Sequence, residues 1–311
     1  MAAVSGLLLA TAVSAVWNEP VRSVEVQYNG LARAYVEGSR EIRANGTQSP
    51  LQIYVITMPD RREHVDAMLK SIGLDSVAHV FPAVMKTKLD WDNLVANGEV
   101  HHDSDLTLGE VACTLSHRAV MKEFLNTTSE YALVFEDDAI APDIFTELLE
   151  ERREGKENYT SLHLLEELAA TSKKVGWHGL NLGRCWDKCI KQEFIQDFSS
   201  KVQLVKSRRS LCTEAYIFTR DAARVHLKHT RPIRDAEDRA RISFPNFEYF
   251  STNPRIFNQL DGKPGASING ITNQPECISY QSKEDRKRNA IRNREREKMV
   301  AKLKAERRKK L

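Results

Sequence analysis

The stretch Tyr131-Ala-Leu-Val-Phe-Glu136-Asp137-Asp138 decides the fold. An uninterrupted apolar run suits a central strand covered on both faces, and here it runs straight into three acidic side chains before Pro142. Open α/β sheets take ligands just beyond the carboxyl ends of such strands. If the backbone stays extended, Glu136 and Asp138 point the same way and Asp137 the opposite way. Carboxylate oxygens grouped like this suit Mg²⁺ or Mn²⁺, which also hold a substrate diphosphate. A solvated acidic loop has the same letters, so the flanking sequence must choose.

Towards the N-terminus, Leu51 to Thr57 reads as a first buried strand. Asp60-Arg-Arg-Glu63 has capping-box spacing, and Val65, Met68, Leu69 and Ile72 recur on one helical face before Gly73. Arg61 and Arg62 fall in the first turn, where the macrodipole disfavours cations. A bound diphosphate would offset that conflict; so would solvent. Val77 to Val84 reads as a second strand, and 86–106 as a polar connection in which His101-His102 is exposed. Thr107-Leu-Gly-Glu110 opens a further helix with a second capping box. Glu110 and His117 then share a face, with Ser116-His117 either aimed into a site or structural.

Towards the C-terminus, residues 143–175 are charged and helical. Leu180-Asn-Leu-Gly183 and Ala215 to Thr219 read as strands, the second leading into a helix over Asp221 to His229. Residues 241–280 are rich in Pro, Gly and Asn and read as a loop-rich closing segment. This order predicts an α/β fold with a mostly parallel central sheet.

The 311 residues carry a net charge of only +3, spread unevenly. The tail from Lys283 onward is strongly basic and the remainder mildly acidic. Glu284/Arg288 and Glu306/Lys310 spacing favours a solvated helix for that tail, with disorder, a nucleic-acid contact or an anionic surface as alternatives. Met1 to Trp17 holds no charged side chain and resembles a signal peptide or short signal-anchor, with Val13-Ser14-Ala15 as the cleavage site. Sequons at Asn45, Asn126 and Asn158 are usable in a secretory lumen. A disordered cytosolic N-terminus is the alternative. Five cysteines do not make a disulfide scaffold; Cys212 with Cys185 or Cys189 supplies one disulfide in an oxidising lumen, and Cys113 is a buried small residue. No nearby Cys/His pair completes a four-ligand set, which argues against zinc.

Taken together, Ile53-Tyr-Val-Ile-Thr57 with Asp60-Arg61, Leu108-Gly-Glu-Val-Ala-Cys-Thr-Leu-Ser-His117, Leu133-Val-Phe-Glu-Asp-Asp138, Leu180-Asn-Leu-Gly183 and Ala215-Tyr-Ile-Phe-Thr-Arg220 resemble glycosyltransferase family 25 across roughly residues 51–240. The resemblance implies a GT-A-like, Rossmann-type nucleotide-binding domain over 51–280, after a polar leader at 18–50 and before a basic tail at 281–311. It implies inverting transfer of a sugar, usually galactose, from a UDP-sugar to a glycan or glycoprotein hydroxyl in the endoplasmic reticulum or Golgi lumen. Mn²⁺ or Mg²⁺ would be held by Asp138, Glu136 and Glu214. Thr57, Arg61, Arg62, Glu110, Ser116, His117, Glu136 and Asp137 fall to the donor side, and Asp235 or Asp238 to the general base. Glu214 stands where many relatives have a histidine, and Ala222-Ala223 where they have Gly-Ala. A catalytically inactive sugar- or protein-binding module is the competing reading.

Overall fold

A computed structural model describes residues 49–260 and 275–277, together with Arg294, Lys298, Ala301, Lys302, Ala305 and Glu306. The signal segment, the polar leader up to residue 48, the Asn45 sequon and most of the tail lie outside the described residues. The six described tail residues are helical and exposed. No described helix is long and apolar enough to cross a membrane.

In chain order the elements are β1 (Leu51–Thr57), α1 (Arg62–Ser71), β2 (Ala78–Pro82), α2 (Trp91–Ala96), α3 (Leu108–Leu125), β3 (Tyr131–Glu136), β4 (Ala139–Ile140), α4 (Asp143–Arg153) and α5 (Ser161–Val175). Then come β5 (Gly179–Asn181), β6 (Glu193–Asp197), β7 (Gln203–Lys206), β8 (Ala215–Thr219), α6 (Arg220–His229), α7 (Glu237–Arg241), β9 (Tyr249–Asn253) and β10 (Asn258–Gln259). An eight-stranded sheet runs β2-β1-β3-β8-β5-β9-β7-β6, and β4 pairs with β10 beside it.

Side chains alternate across the sheet and so build two cores. Ile53, Val55, Leu133, Phe135 and Ile217 pack with Val65 and Leu69 of α1, Phe145 and Leu148 of α4, and Leu164, Leu165 and Leu168 of α5. On the opposite face Tyr54, Ile56, Ala132, Val134, Tyr216 and Phe218 meet Val120, Met121 and Phe124 of α3 and Ala222 and Ala223 of α6. Helices therefore cover both faces, which explains why the strands read as continuous apolar runs.

The expected mostly parallel sheet is corrected to a mixed one. Strands β2, β1 and β3 are parallel, and β5 pairs parallel with β9, but β8 lies antiparallel between β3 and β5. Strand β7 is also antiparallel to its neighbours β9 and β6. The closing segment is likewise corrected: it supplies β9, which pairs β5 with β7 inside the sheet. At the start of α1 the expected Asp60–Glu63 capping box does not form. Pro59 opens a 3-10 turn over Pro59–Arg61, which moves the helix start to Arg62 and leaves Asp60 inside the turn. The box at Thr107 does form, with Thr107 Oγ1 accepting from Glu110 N and Glu110 Oε2 accepting from Thr107 N at 2.8 Å.

Two disulfides form where one was expected. Cys185 pairs with Cys212, and Cys189 with Cys277, leaving Cys113 free. The buried Arg184 guanidinium secures this region through Asp187, Gln192, Asn253 and Glu276, at 2.6 to 3.0 Å. Closing the 27-residue separation of the first pair is worth roughly 3–4 kcal/mol in the chain-entropy account. Non-reducing peptide mapping should recover Cys185–Cys212 and Cys189–Cys277, with Cys113 alone alkylated. A Cys189–Cys212 peptide would contradict this arrangement.

Candidate active site

The antiparallel placement of β8 builds the site. Because β8 runs opposite to β3, the residues that precede it arrive where β3 ends, and Glu136 N donates to Glu214 O at 3.0 Å. Thr213 and Glu214 are thereby set beside the acidic run. Asn181, at the end of β5, fixes this loop by donating to Leu211 O and Cys212 O, both at 3.1 Å. The Cys185–Cys212 bond pins it from the other side. Cys212 sits at φ 64, in the left-handed region that a non-glycine residue holds only where its surroundings impose it.

The extended backbone stops at Glu136, and Asp137–Asp138 form a turn, so the three acids separate rather than alternate. Glu136 points inward. Its Oε1 accepts from His117 Nε2 at 3.0 Å and from the Thr213 hydroxyl, and Cys113 Sγ lies 3.9 Å away. Burial alone would raise this carboxyl, but His117, Thr213 and Arg241 outweigh it and hold it below its ordinary value. Asp137 turns towards β1, taking Met58 N at 2.8 Å and Arg61 at 2.7 Å. Asp138 is buried: one oxygen accepts from Gln259 Nε2 at 2.7 Å, and Oδ1 has no hydrogen-bond partner among the described residues.

Glu214 is 1% exposed, and neither carboxylate oxygen has a hydrogen-bond partner among the described residues. It fits only because residue 183 is glycine. A Cβ there would meet Glu214 Cγ at 2.6 Å. Burial, with the neighbouring Asp138 and Glu136 charges, pushes the Glu214 carboxyl well up. Burial and Glu136 likewise raise Asp138 to about 8. Two buried carboxyl groups with three oxygens orphaned among the described residues form a hard, all-oxygen donor set that a cation would hold in its ionised form. Such oxygens suit Mn²⁺ or Mg²⁺, so the residues fit the expected cation.

The remaining expected residues divide by what they touch. His117 is buried; its Nδ1 lies 2.9 Å from the Tyr216 hydroxyl and 3.3 Å from Arg241 NH2. A guanidinium only donates, so Nδ1 accepts and the proton sits on Nε2, facing Glu136. Arg61 is matched by Asp137, and Arg62 by Asp66 at 2.8 Å, so the chain's own carboxylates offset the cations near the start of α1. Glu110 serves the α3 cap, and Ser116 ties Val84 N to the helix by accepting its hydrogen bond at 2.8 Å. Thr57 ends β1, its hydroxyl donating to Met58 O at 3.1 Å. Asp235 is exposed, with Arg239 3.6 Å away. Asp238 lies closer in: its carboxyl is raised by burial and by Glu136, against hydrogen bonds from the Arg239 and Cys212 backbones.

Sequence reasoning missed the charged network behind this site. Arg241, fully buried on α7, lies 3.6 Å above the Tyr216 ring and pairs with Glu237 at 2.6 Å; Glu237 also receives His226 Nε2 at 2.6 Å. The spacing Glu237-x-x-x-Arg241 was a signal, since such pairs meet on one helical face.

The family model described as glycosyltransferase family 25 (LPS biosynthesis protein) matches residues 51–240. A glycosyltransferase 25 family member from Anopheles gambiae is 28% identical over 187 residues, covering 57% of this chain and 28% of that protein. A Bos taurus protein named probable inactive glycosyltransferase 25 family member 3 is 29% identical over 193 residues, 59% of this chain and 29% of that one. The chain spans less than a third of the length of these curated relatives. With more than half its residues matched by the family model, the chain belongs to glycosyltransferase family 25.

Proposed function

We propose that the chain is an inverting, metal-dependent glycosyltransferase moving a sugar, galactose by the family resemblance, from a UDP-sugar to a hydroxyl of a glycan or glycoprotein. The observation that carries this reading is the set of orphaned oxygens on Asp138 and Glu214 where β3 ends and β8 begins. Asp138 and Glu214 would hold Mn²⁺ or Mg²⁺, which when bound offsets the charge of the departing diphosphate. Glu136, kept ionised by its donors, supports the same anionic wall. Arg61 holds Asp137 aside and presents a guanidinium at the end of β1, where a phosphate would be received.

Asp238 suits the general base better than Asp235. Its raised carboxyl takes up a proton more readily, and it lies beside the Cys212 backbone at the rim of the site, whereas Asp235 faces solvent. Two disulfides suit an oxidising lumen and support the secretory pathway as the compartment of the proposed reaction.

The second reading, a binding module without turnover, draws on Glu214: protonated Glu214 and Asp138 would donate hydrogen bonds to sugar hydroxyls without a cation. UDP release from UDP-galactose by the full chain, with Mn²⁺ and with chelator, separates the two. Release that requires Mn²⁺ supports the transferase. Donor binding by thermal shift without any release supports the module.

Gly183→Ala tests the donor set from its packing side. The added methyl must displace Glu214, so divalent affinity should fall by about 10–100-fold, as it does when a ligand's support is removed. Overpacking should cost about 1–3 kcal/mol of stability. Calorimetric Mn²⁺ titration showing unchanged affinity would remove Glu214 from the cation site.

A further inference from the structure

Cys113 and His117 stand four apart on α3 and so share one face, where Glu136 comes down from the end of β3. One ligand atom from each of the three lies within 4.8 Å of the others. The measured separations are 3.0 Å from His117 Nε2 to Glu136 Oε1 and 3.9 Å from Cys113 Sγ to the same oxygen. Zinc bonds of about 2.0–2.3 Å in a tetrahedron require ligand atoms roughly 3.3–3.6 Å apart. Both separations to Glu136 are within a few tenths of an ångström of that spacing, and Cys113 and His117 lie within 4.8 Å of each other.

We propose that Cys113, His117 and Glu136 form a site for a borderline-soft divalent cation, Zn²⁺ foremost, with a fourth position left open. This site is distinct from the all-oxygen set of Asp138 and Glu214, and a thiolate with an imidazole favours zinc over Mn²⁺ or Mg²⁺. The ion has a way in, because Cys113 is partly exposed and the Glu136 side chain is 23% exposed. Protons balance. The thiol proton leaves to solvent, and the Nε2 proton is replaced by one on Nδ1, where the Tyr216 hydroxyl, 2.9 Å away, accepts it. The cost is the 3.3 Å contact from Arg241, whose NH2 retains Glu237. Burial above all, and then Glu136, Glu237 and Asp238, raise the Cys113 thiol, and those same negative groups attract a cation. Loading takes Glu136 away from Thr213, so a zinc-filled site differs in structure from the cation-free one.

The test does not depend on the transferase reading. Metal-free full chain, kept without thiol reductant to preserve its disulfides, is titrated with Zn²⁺ against a chromogenic chelator and separately with Co²⁺. Zinc should bind with proton release, and Co²⁺ should give a thiolate-to-metal charge-transfer band in the near ultraviolet. Cys113→Ser should abolish that band and weaken Zn²⁺ by at least ~100-fold, more than the loss of an outer-shell partner costs. Near-ultraviolet circular dichroism confirms that the variant is folded. The His101-His102-Asp103 group, half-buried at His101 and exposed at the other two, is the competing address. Zinc binding lost in His102→Ala but retained in Cys113→Ser overturns the proposal, as does a cobalt complex without a thiolate band.

Discussion

Asp138→Asn should reduce Mn²⁺-dependent donor turnover by at least ~100-fold, the scale of losing one strong preorganised electrostatic group. The substitution keeps the shape of a buried side chain and an oxygen for the Gln259 amide, but removes the charge beside the orphaned Glu214 carboxyl. Loss of activity through misfolding has a different signature. In chelator, Asp138 titrates at about 8 when folded, against roughly 3.9 unfolded. Between those values the folded state keeps a proton that the unfolded chain gives up. Metal-free stability therefore falls as pH rises from about 4 to about 8, and levels off above. The variant lacks this titration, so its melting temperature should gain on the parent across that window. Inactive and no less stable at pH 8 is the expected outcome. Near-parental turnover would remove the acidic run from the mechanism.

How much of this was legible follows from what each signal encodes. The β3 run, the Thr107 capping box and the α3 face were readable because periodicity and capping are local properties of the chain. Strand direction is not. Ala215 to Thr219 reads identically in either sense, yet its antiparallel insertion is what delivers Thr213 and Glu214 to Glu136. The short strands β6 and β7 were missed because they begin on polar residues, the exposed Glu193 and the half-buried Gln203, and are too short to show an apolar alternation. Cys277 was missed because its partner lies 88 residues away. Arg61 was readable as a cation out of place, but the carboxylate that answers it, Asp137, is remote in sequence. Zinc was set aside for want of a fourth ligand, although Cys113-x-x-x-His117 already had the spacing of a shared helical face.

The largest expected effect on stability belongs to a residue just beyond the family-matched segment. Arg241→Met should destabilise the chain by about 3–5 kcal/mol at neutral pH, the cost of stripping one partner from a buried ion pair. Its guanidinium is fully buried, bonds Glu237 through two nitrogens at 2.6 and 2.8 Å, and covers Tyr216 and Phe218. Burial pulls Glu237 up, but His226 and Arg241 outweigh it and hold the carboxyl far below its ordinary value. That contribution is fully present above the unfolded pKa of about 4.3 and is lost only as pH falls below it. Without Arg241 the sign reverses, because a buried carboxylate short of its cation takes up a proton. The deficit of the variant should therefore be greatest near pH 8 and shrink towards pH 5. Arg241→Met with Glu237→Leu should recover much of the loss, since well-packed apolar replacements for a buried pair are often neutral or better. Urea denaturation across pH reads all three quantities. A deficit independent of pH, or a double variant as unstable as the single one, would mean that Arg241 acts through packing on Tyr216 and Phe218 alone.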